Sequence, residues 1–305
     1  MKLWRRILYT LPSLFFLSLP AAQGVGIDLD QHGLTGSWYD PRTSGQGFMV
    51  EVLPDLSSPG TGLVLVSWFT YDTVAGGAER QRWYTAQGAV VTGQPTAALT
   101  IYQNTGGNFN APPVTNAQAV GSATLSFDTC SSGQLTYVFT DGTGRTGTIP
   151  LTRLTQNVTC SSTSARPTIA DFELSGNWFD TATSGQGLTV EINPISRVIF
   201  FAWMTYAPNG AGAGTAGQRW YTGQGTFRAA SLIGFQLYET TGGLFDSSMA
   251  SPTTLAVGSG IFTLQGCWGD LVFTFTGGSN AGASGTIHLV KMSAELSAGA
   301  GCWDY

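Results

Sequence analysis

Charge is scarce in this chain. Of 305 residues only 10% are Asp, Glu, Lys or Arg, and the formal net charge is -5. No basic stripe exists, which argues against a nucleic acid or an anionic membrane as partner. Histidine is scarcer still. His32 and His288 are the two, and they do not occupy matching positions in the repeat described below. His32 reads as a lead-in residue and His288 as a solvent-facing strand residue. A His-based triad or a His–Cys metal centre would therefore have to differ between the copies. Long charged helix formers are few, and no segment shows helical periodicity with caps. After residues 7–19 no apolar run is long enough to span a bilayer as a helix.

What is abundant is glycine, 41 residues, together with Ser, Thr and aromatics. That composition suits many short strands and turns. One stretch organises the chain. Gly36-Ser37-Trp38-Tyr39-Asp40 runs into Ser44-Gly45-Gln46-Gly47, and returns as Gly176-Asn177-Trp178-Phe179-Asp180 with Ser184-Gly185-Gln186-Gly187. Gln81-Arg82-Trp83-Tyr84-Thr85 returns as Gln218-Arg219-Trp220-Tyr221-Thr222, Thr105-Gly106-Gly107 as Thr241-Gly242-Gly243, and Cys130 as Cys267. The chain is two copies of one unit. Residues 1–24 read as a secretory signal: Lys2, Arg5 and Arg6, an apolar run, then Ala21-Ala22-Gln23-Gly24. Residues 25–160 form the first repeat, the Ser/Thr-rich residues 161–168 a linker, and residues 169–305 the second repeat.

Period-two alternation marks strands. Leu271, Phe273 and Phe275 fall on one face, Val272 and Thr274 on the other. Eight strands are expected per copy: residues 36–39, 46–53, 63–71, 80–85, 98–103, 122–128, 134–140 and 146–154, then 172–179, 187–193, 197–206, 218–222, 232–239, 258–264, 270–275 and 285–292. The third, residues 63–71, is apolar on both faces. Hairpin-length links imply an up-and-down meander, and closing it into a barrel removes two exposed edges. The expected fold is all-β, two tandem eight-stranded antiparallel calycin-like barrels.

Leu34-Thr35-Gly36-Ser37-Trp38-Tyr39-Asp40 resembles the first strand of avidin-type proteins and, more broadly, the calycin superfamily. That resemblance implies a basic residue from the last strand placed over the Trp, here Arg153 over Trp38 and Lys291 over Trp178. Antiparallel pairing of strands 8 and 1 in a closed meander puts the same residues together, and a cation on an indole contributes ~0.5–2 kcal/mol. The whole unit resembles a group of uncharacterised secreted bacterial tandem-repeat proteins with Gly-x-Trp, Ser-Gly-Gln-Gly, Arg-Trp-Tyr and a late Cys followed by an Arg-Leu-Thr segment. Here these are Gly36-Ser37-Trp38, Ser44-Gly45-Gln46-Gly47, Arg82-Trp83-Tyr84, Cys130 and Arg153-Leu154-Thr155. The resemblance brings no activity with it.

Each copy has one cysteine near the end of strand 6 and one in its tail. Four cysteines allow three pairings, and only Cys130–Cys160 with Cys267–Cys302 is local in both copies.

Chemical candidates are few. Asp40 and Asp180, and Glu51 and Glu191, are the acids present in both copies. A glycosidase pair of Asp40 with Glu51 is conceivable by spacing; the simpler expectation is a turn cap for Asp40, and for Glu51 solvent or an arginine. Residues 44–47 and 210–217 lack the Lys-Ser/Thr ending of a phosphate loop. Trp68, Trp83, Trp203 and Trp220 read as core aromatics. Retained polar and aromatic groups collect instead near one end of each meander, beside its long loops: Asp40, Ser44, Gln46, Tyr71, Arg82, Tyr84 and Tyr102, with Asp180, Ser184, Gln186, Tyr206, Arg219, Tyr221 and Tyr238. A barrel mouth with convergent polar groups is a ligand-site hypothesis. Arg82 and Arg219 are its expected anchors, unless Glu51 and Glu191 hold them as internal ion pairs.

The expected function is non-catalytic binding of a small molecule or glycan by a secreted or periplasmic protein. No catalytic residue, cofactor or metal is expected, and no membrane span after signal removal. The alternatives are a structural or interaction protein with plugged barrels, a carboxylate-dependent hydrolase, and a sixteen-stranded outer-membrane pore. Paired cysteines and polar outward positions count against the last.

Overall fold

The computed structural model describes residues 26–43, 45–163, 168–229 and 231–296. The signal segment, Ser44, residues 164–167 of the linker and Cys302 lie outside them.

The chain forms two closed eight-stranded antiparallel barrels in up-and-down order. The first is built from β1 (Gly36–Tyr39), β2 (Gly47–Ser58), β3 (Thr61–Tyr71), β4 (Gln81–Val91), β5 (Thr96–Gln103), β6 (Gln118–Thr129), β7 (Ser132–Phe139) and β8 (Thr146–Arg153). The second contains β9 (Gly176–Phe179), β10 (Gly187–Asn193), β11 (Val198–Tyr206), β12 (Gln218–Thr226), β13 (Leu232–Thr241), β14 (Thr253–Gln265), β15 (Trp268–Phe275) and β16 (Ser284–Lys291). Strand bounds differ from the sequence expectation mainly in length. One correction is needed: residues 172–179 are not a single strand. Ala170–Glu173 form a short helix, α1, before β9 begins. A second short helix, α2, spans Met292–Leu296. Among the described residues no helix is long and apolar enough to cross a membrane, and no His/Cys/Asp/Glu group could hold a metal.

Alternation decides which side chains enter each barrel. In β7, Leu135, Tyr137 and Phe139 are buried while Gln134, Thr136 and Val138 are exposed. Each interior is filled by side chains, around Trp38 and Trp68 in the first barrel and Trp178 and Trp203 in the second. Both barrels close in the expected register, Trp38 opposite Arg153 and Trp178 opposite Lys291. The Arg153 guanidinium lies 4.6 Å from the Trp38 ring centroid. Lys291 is used differently: its ammonium donates to the Glu173 carbonyl.

A disulfide joins Cys130 to Cys160, with Cα atoms 5.6 Å apart. Cys267 is also disulfide-bonded; its expected partner, Cys302, is outside the described residues.

β3, β10 and β11 are buried on both faces along most of their length. The reason is the opposite barrel in each case. Met49, Phe69, Tyr71 and Trp83 pack against Ala202, Met204, Tyr206 and Trp220 in a third apolar cluster between the barrels.

Candidate functional site

The repeated motifs converge on the join between the barrels. Their contacts come in exchanged pairs, so the two halves are related by an approximate two-fold. In β1, Ser37 points out of its own barrel. Its N–H and hydroxyl donate to Glu191 Oε2 at 2.8 and 2.6 Å. Reciprocally, Asn177 in β9 donates its N–H and side-chain amide to Glu51 Oε2 at 2.8 and 2.6 Å. Both carboxylates are fully buried. The glycine of each Gly-x-Trp is now explained. Gly36 and Gly176 have φ of 141° and 135°, and a Cβ would lie 2.7 Å from Glu191 Oε1 and 2.0 Å from Glu51 Oε1.

These carboxylates do not hold Arg82 and Arg219, so the alternative of an internal ion pair with them at those arginines is not what forms. Their basic neighbours are the closure residues of the opposite barrel. Arg153 Nη1 lies 3.9 Å from Glu191 Oε1, and Thr155 donates to the same oxygen. Burial raises the Glu191 pKa, opposed by Ser37, Thr155 and Arg153. Burial lowers Arg153 to about 10, opposed by Glu191. It also lowers Lys291, opposed by Glu51 and Glu173.

The Gln-Arg-Trp-Tyr motifs exchange in the same way. Gln81 Nε2 donates to the Trp220 and Thr240 carbonyls at 3.0 and 3.1 Å; Gln218 Nε2 donates to those of Trp83 and Asn104 at 2.9 and 3.1 Å. The indole N–H of Trp83 reaches the Thr205 carbonyl, and that of Trp220 the Thr70 carbonyl. Trp83 and Trp220 are thus core residues of the join rather than of either barrel, whereas Trp68 and Trp203 are barrel core.

The mouths are plugged, each by the other repeat. The loop after β5 carries Phe109 into the second barrel, with its ring 5.3 Å from Trp203 and 5.6 Å from Phe273. The loop after β13 carries Phe245 into the first, 5.2 Å from Trp68 and 5.7 Å from Tyr137. The Ser-Gly-Gln-Gly glutamines clamp these loops. Gln46 donates to the Leu244 carbonyl and accepts from Thr70 and the Asp246 N–H. Gln186 does the same with Asn108, Thr205 and Asn110. The Thr-Gly-Gly motif has its reason here too. Gly106 and Gly242 both sit at φ 84°. Gly107 and Gly243 press on Tyr206 and Tyr71, where a Cβ would come within 2.2 and 2.0 Å of a ring carbon.

The remaining sequence candidates are spread out. Tyr71 and Tyr206 donate to the Gly45 and Gly185 carbonyls of their own barrels. Asp40 accepts from the Arg42 backbone and guanidinium; burial acts to raise its pKa, yet these contacts hold it below the usual value. Asp180 caps the turn at Ala182. Ser184 lines a cleft of about 320 Å³ between the barrels. Tyr102 and Tyr238 are half-buried, and Tyr238 accepts from Gln224. Tyr84 and Tyr221 point inward, the former bonded to Arg145 and the latter to Ser279.

Arg82 and Arg219 differ. Arg82 forms a 2.5 Å ion pair with Asp72 and donates to the Glu79, Gln81 and Thr215 carbonyls. Among the described residues Arg219 donates only to the Ala216 and Gln218 carbonyls, and its buried Nε has no partner there. At the first mouth Arg82, Tyr84 and Arg145 line a cavity of about 430 Å³ with Asp72 and Asp141. Sequence reasoning missed Arg145, which lies over the Phe139 and Phe245 rings at 4.0 and 4.6 Å. Ala283 holds the matching place, so the repeat comparison that flagged the other residues passed it over.

No family model matches this chain, and no curated protein sequence matches it.

Proposed function

We propose that this is a non-catalytic, secreted or periplasmic binding protein whose two calycin-like barrels form one plugged body and meet partners with their outer faces. The reciprocal insertion of Phe109 and Phe245 carries this reading. A filled interior leaves no room for a guest at the barrel centre, and the retained Gln46, Gln186, Glu51 and Glu191 side chains are used up in holding the plugs and the join. The Cys130–Cys160 bridge fits an oxidising compartment, as do the signal-like start and the resemblance to secreted bacterial tandem-repeat proteins. The acids a hydrolase would use are engaged, Asp40 with Arg42 and Glu51 with Asn177.

A second reading, a small-molecule or glycan ligand at a mouth, rests on the 430 Å³ cavity beside Arg82 and Arg145. Against it, each arginine already has a carboxylate partner, Asp72 or Asp141.

Two measurements test the plugged reading. An apolar fluorophore such as anilinonaphthalene sulfonate should gain little emission with the wild type and much more with folded Phe109→Ala/Phe245→Ala. Mass spectrometry of the natively secreted protein should find no stoichiometric small molecule. A retained molecule released by Arg82→Ala would replace this reading with the second one.

A further inference from the structure

We propose that the second barrel carries a saccharide-binding site on its rim, at the end opposite its mouth. The proposal rests on the reading of outer-face binding above and names the ligand class.

A cavity of about 910 Å³ opens there, lined by Trp268, Asp270, His288, Arg228, Gln265 and Asp171 over a floor of Leu264 and Leu289. Trp268 is 64% exposed. A large aromatic left in water on a folded surface marks a contact site when polar groups surround it. Here they do. Asp270 and His288 are cross-strand partners on β15 and β16, and His288 Nδ1 lies 2.7 Å from Asp270 Oδ1. Gln265 is the register partner of Trp268 on β14. The platform is set by the sheet at its root, because Trp268 pairs with Gln265 on β14 and Val290 on β16 and follows the buried Cys267.

The first barrel supplies an internal control. By strand register, Ser132, Gln134 and Pro150 occupy the places of Trp268, Asp270 and His288. The fold therefore does not require an indole, a carboxylate or an imidazole at these positions. The second repeat alone combines them with a cavity.

This combination matches the two-sided chemistry of a pyranose. One sugar face presents C–H groups that stack on an indole. The rim presents hydroxyls that both donate and accept. Asp270 accepts, Arg228 donates, and Gln265 and His288 do either. The cavity volume lies within the ordinary range for ligand sites, ~300–1,000 Å³. The mixed signs of Arg228, Asp171 and Asp270 favour hydroxyls over a strongly anionic or cationic ligand.

The test uses the full chain. Linear oligosaccharides of glucose, N-acetylglucosamine, mannose and galactose are titrated while tryptophan emission and heat are followed. At least one is expected to bind with Kd tighter than ~1 mM. Trp268→Ala should weaken it at least tenfold and Trp268→Phe less, with Asp270→Asn also weaker; Ser132→Ala should change nothing. Unchanged melting curves and dye exclusion show that the variants stay folded and plugged. Binding of no saccharide in the panel overturns the proposal. So does binding that survives Trp268→Ala, or a peptide that binds this face in place of sugar. These failures leave dye exclusion intact, so they are separable from failure of the plugged reading.

Discussion

Glu191 and Ser37 meet across the join of the two barrels, with the carboxylate taking both the backbone and the hydroxyl hydrogen of the serine. Glu191→Ala strands those donors and leaves Arg153 buried without its carboxylate. The expected loss is about 3–5 kcal/mol, read from urea unfolding. The pH dependence has a definite sign. Burial raises the Glu191 pKa above its ordinary 4.5, so the folded state holds this proton more tightly than the unfolded chain does. That contribution is complete below the unfolded pKa and is lost as pH rises through the folded one. Relative to Glu191→Gln, wild-type stability should fall with rising pH across that window. Parallel curves for the two proteins would refute it.

Phe245 belongs to the second repeat but packs in the core of the first. Phe245→Ala should cost about 3–5 kcal/mol, and the damage should appear in the other barrel. Hydrogen exchange should quicken at Trp68 and Tyr137 before it changes around Trp203. Faster exchange confined to the second barrel would contradict the plug.

Gly243 lies against the Tyr71 ring, which is fixed by its bond to the Gly45 carbonyl at 2.7 Å. Gly243→Ala should destabilise by about 1–3 kcal/mol through overpacking. Tyr71→Ala should relieve part of that cost in the double variant. Simple additivity of the two changes would mean that the contact carries no energy.

Arg82 and Arg219 occupy matching positions with unequal partners. Arg82→Ala removes the shorter of the two arginine contacts to Asp72, which keeps Arg80 at 3.1 Å, and should cost about 1.5–3 kcal/mol. Arg219→Ala removes a buried, partly unpartnered donor and should cost clearly less. Thermal melts of the two single variants decide between this order and its reverse.

Much of the architecture was legible. Alternation within strands reports which side chain enters a barrel, and it placed Leu271, Phe273 and Phe275 correctly. Barrel closure then brought Arg153 to Trp38, and separation along the chain singled out Cys130–Cys160. The join was not legible. Ser37 and Glu51 point out of their own barrel, and a period-two pattern equates outward with wet. Only a neighbouring barrel makes outward positions dry. The signal was present in residues 63–71, apolar on both faces, which a free-standing barrel has no use for. Thr-Gly-Gly stands out only as a repeated motif, although the second glycine of each pair is there for a tyrosine of the other repeat.

The exchanged phenylalanines make neither repeat complete alone. The connecting segment therefore sets how readily each half finds its match. A tether of this kind holds two partners at an effective concentration on the order of millimolar, so pairing within one chain outcompetes pairing between chains. A protease cut in that segment would not release two barrels. It would turn an intramolecular assembly into a two-fragment complex, held by the plugs, whose survival depends on dilution.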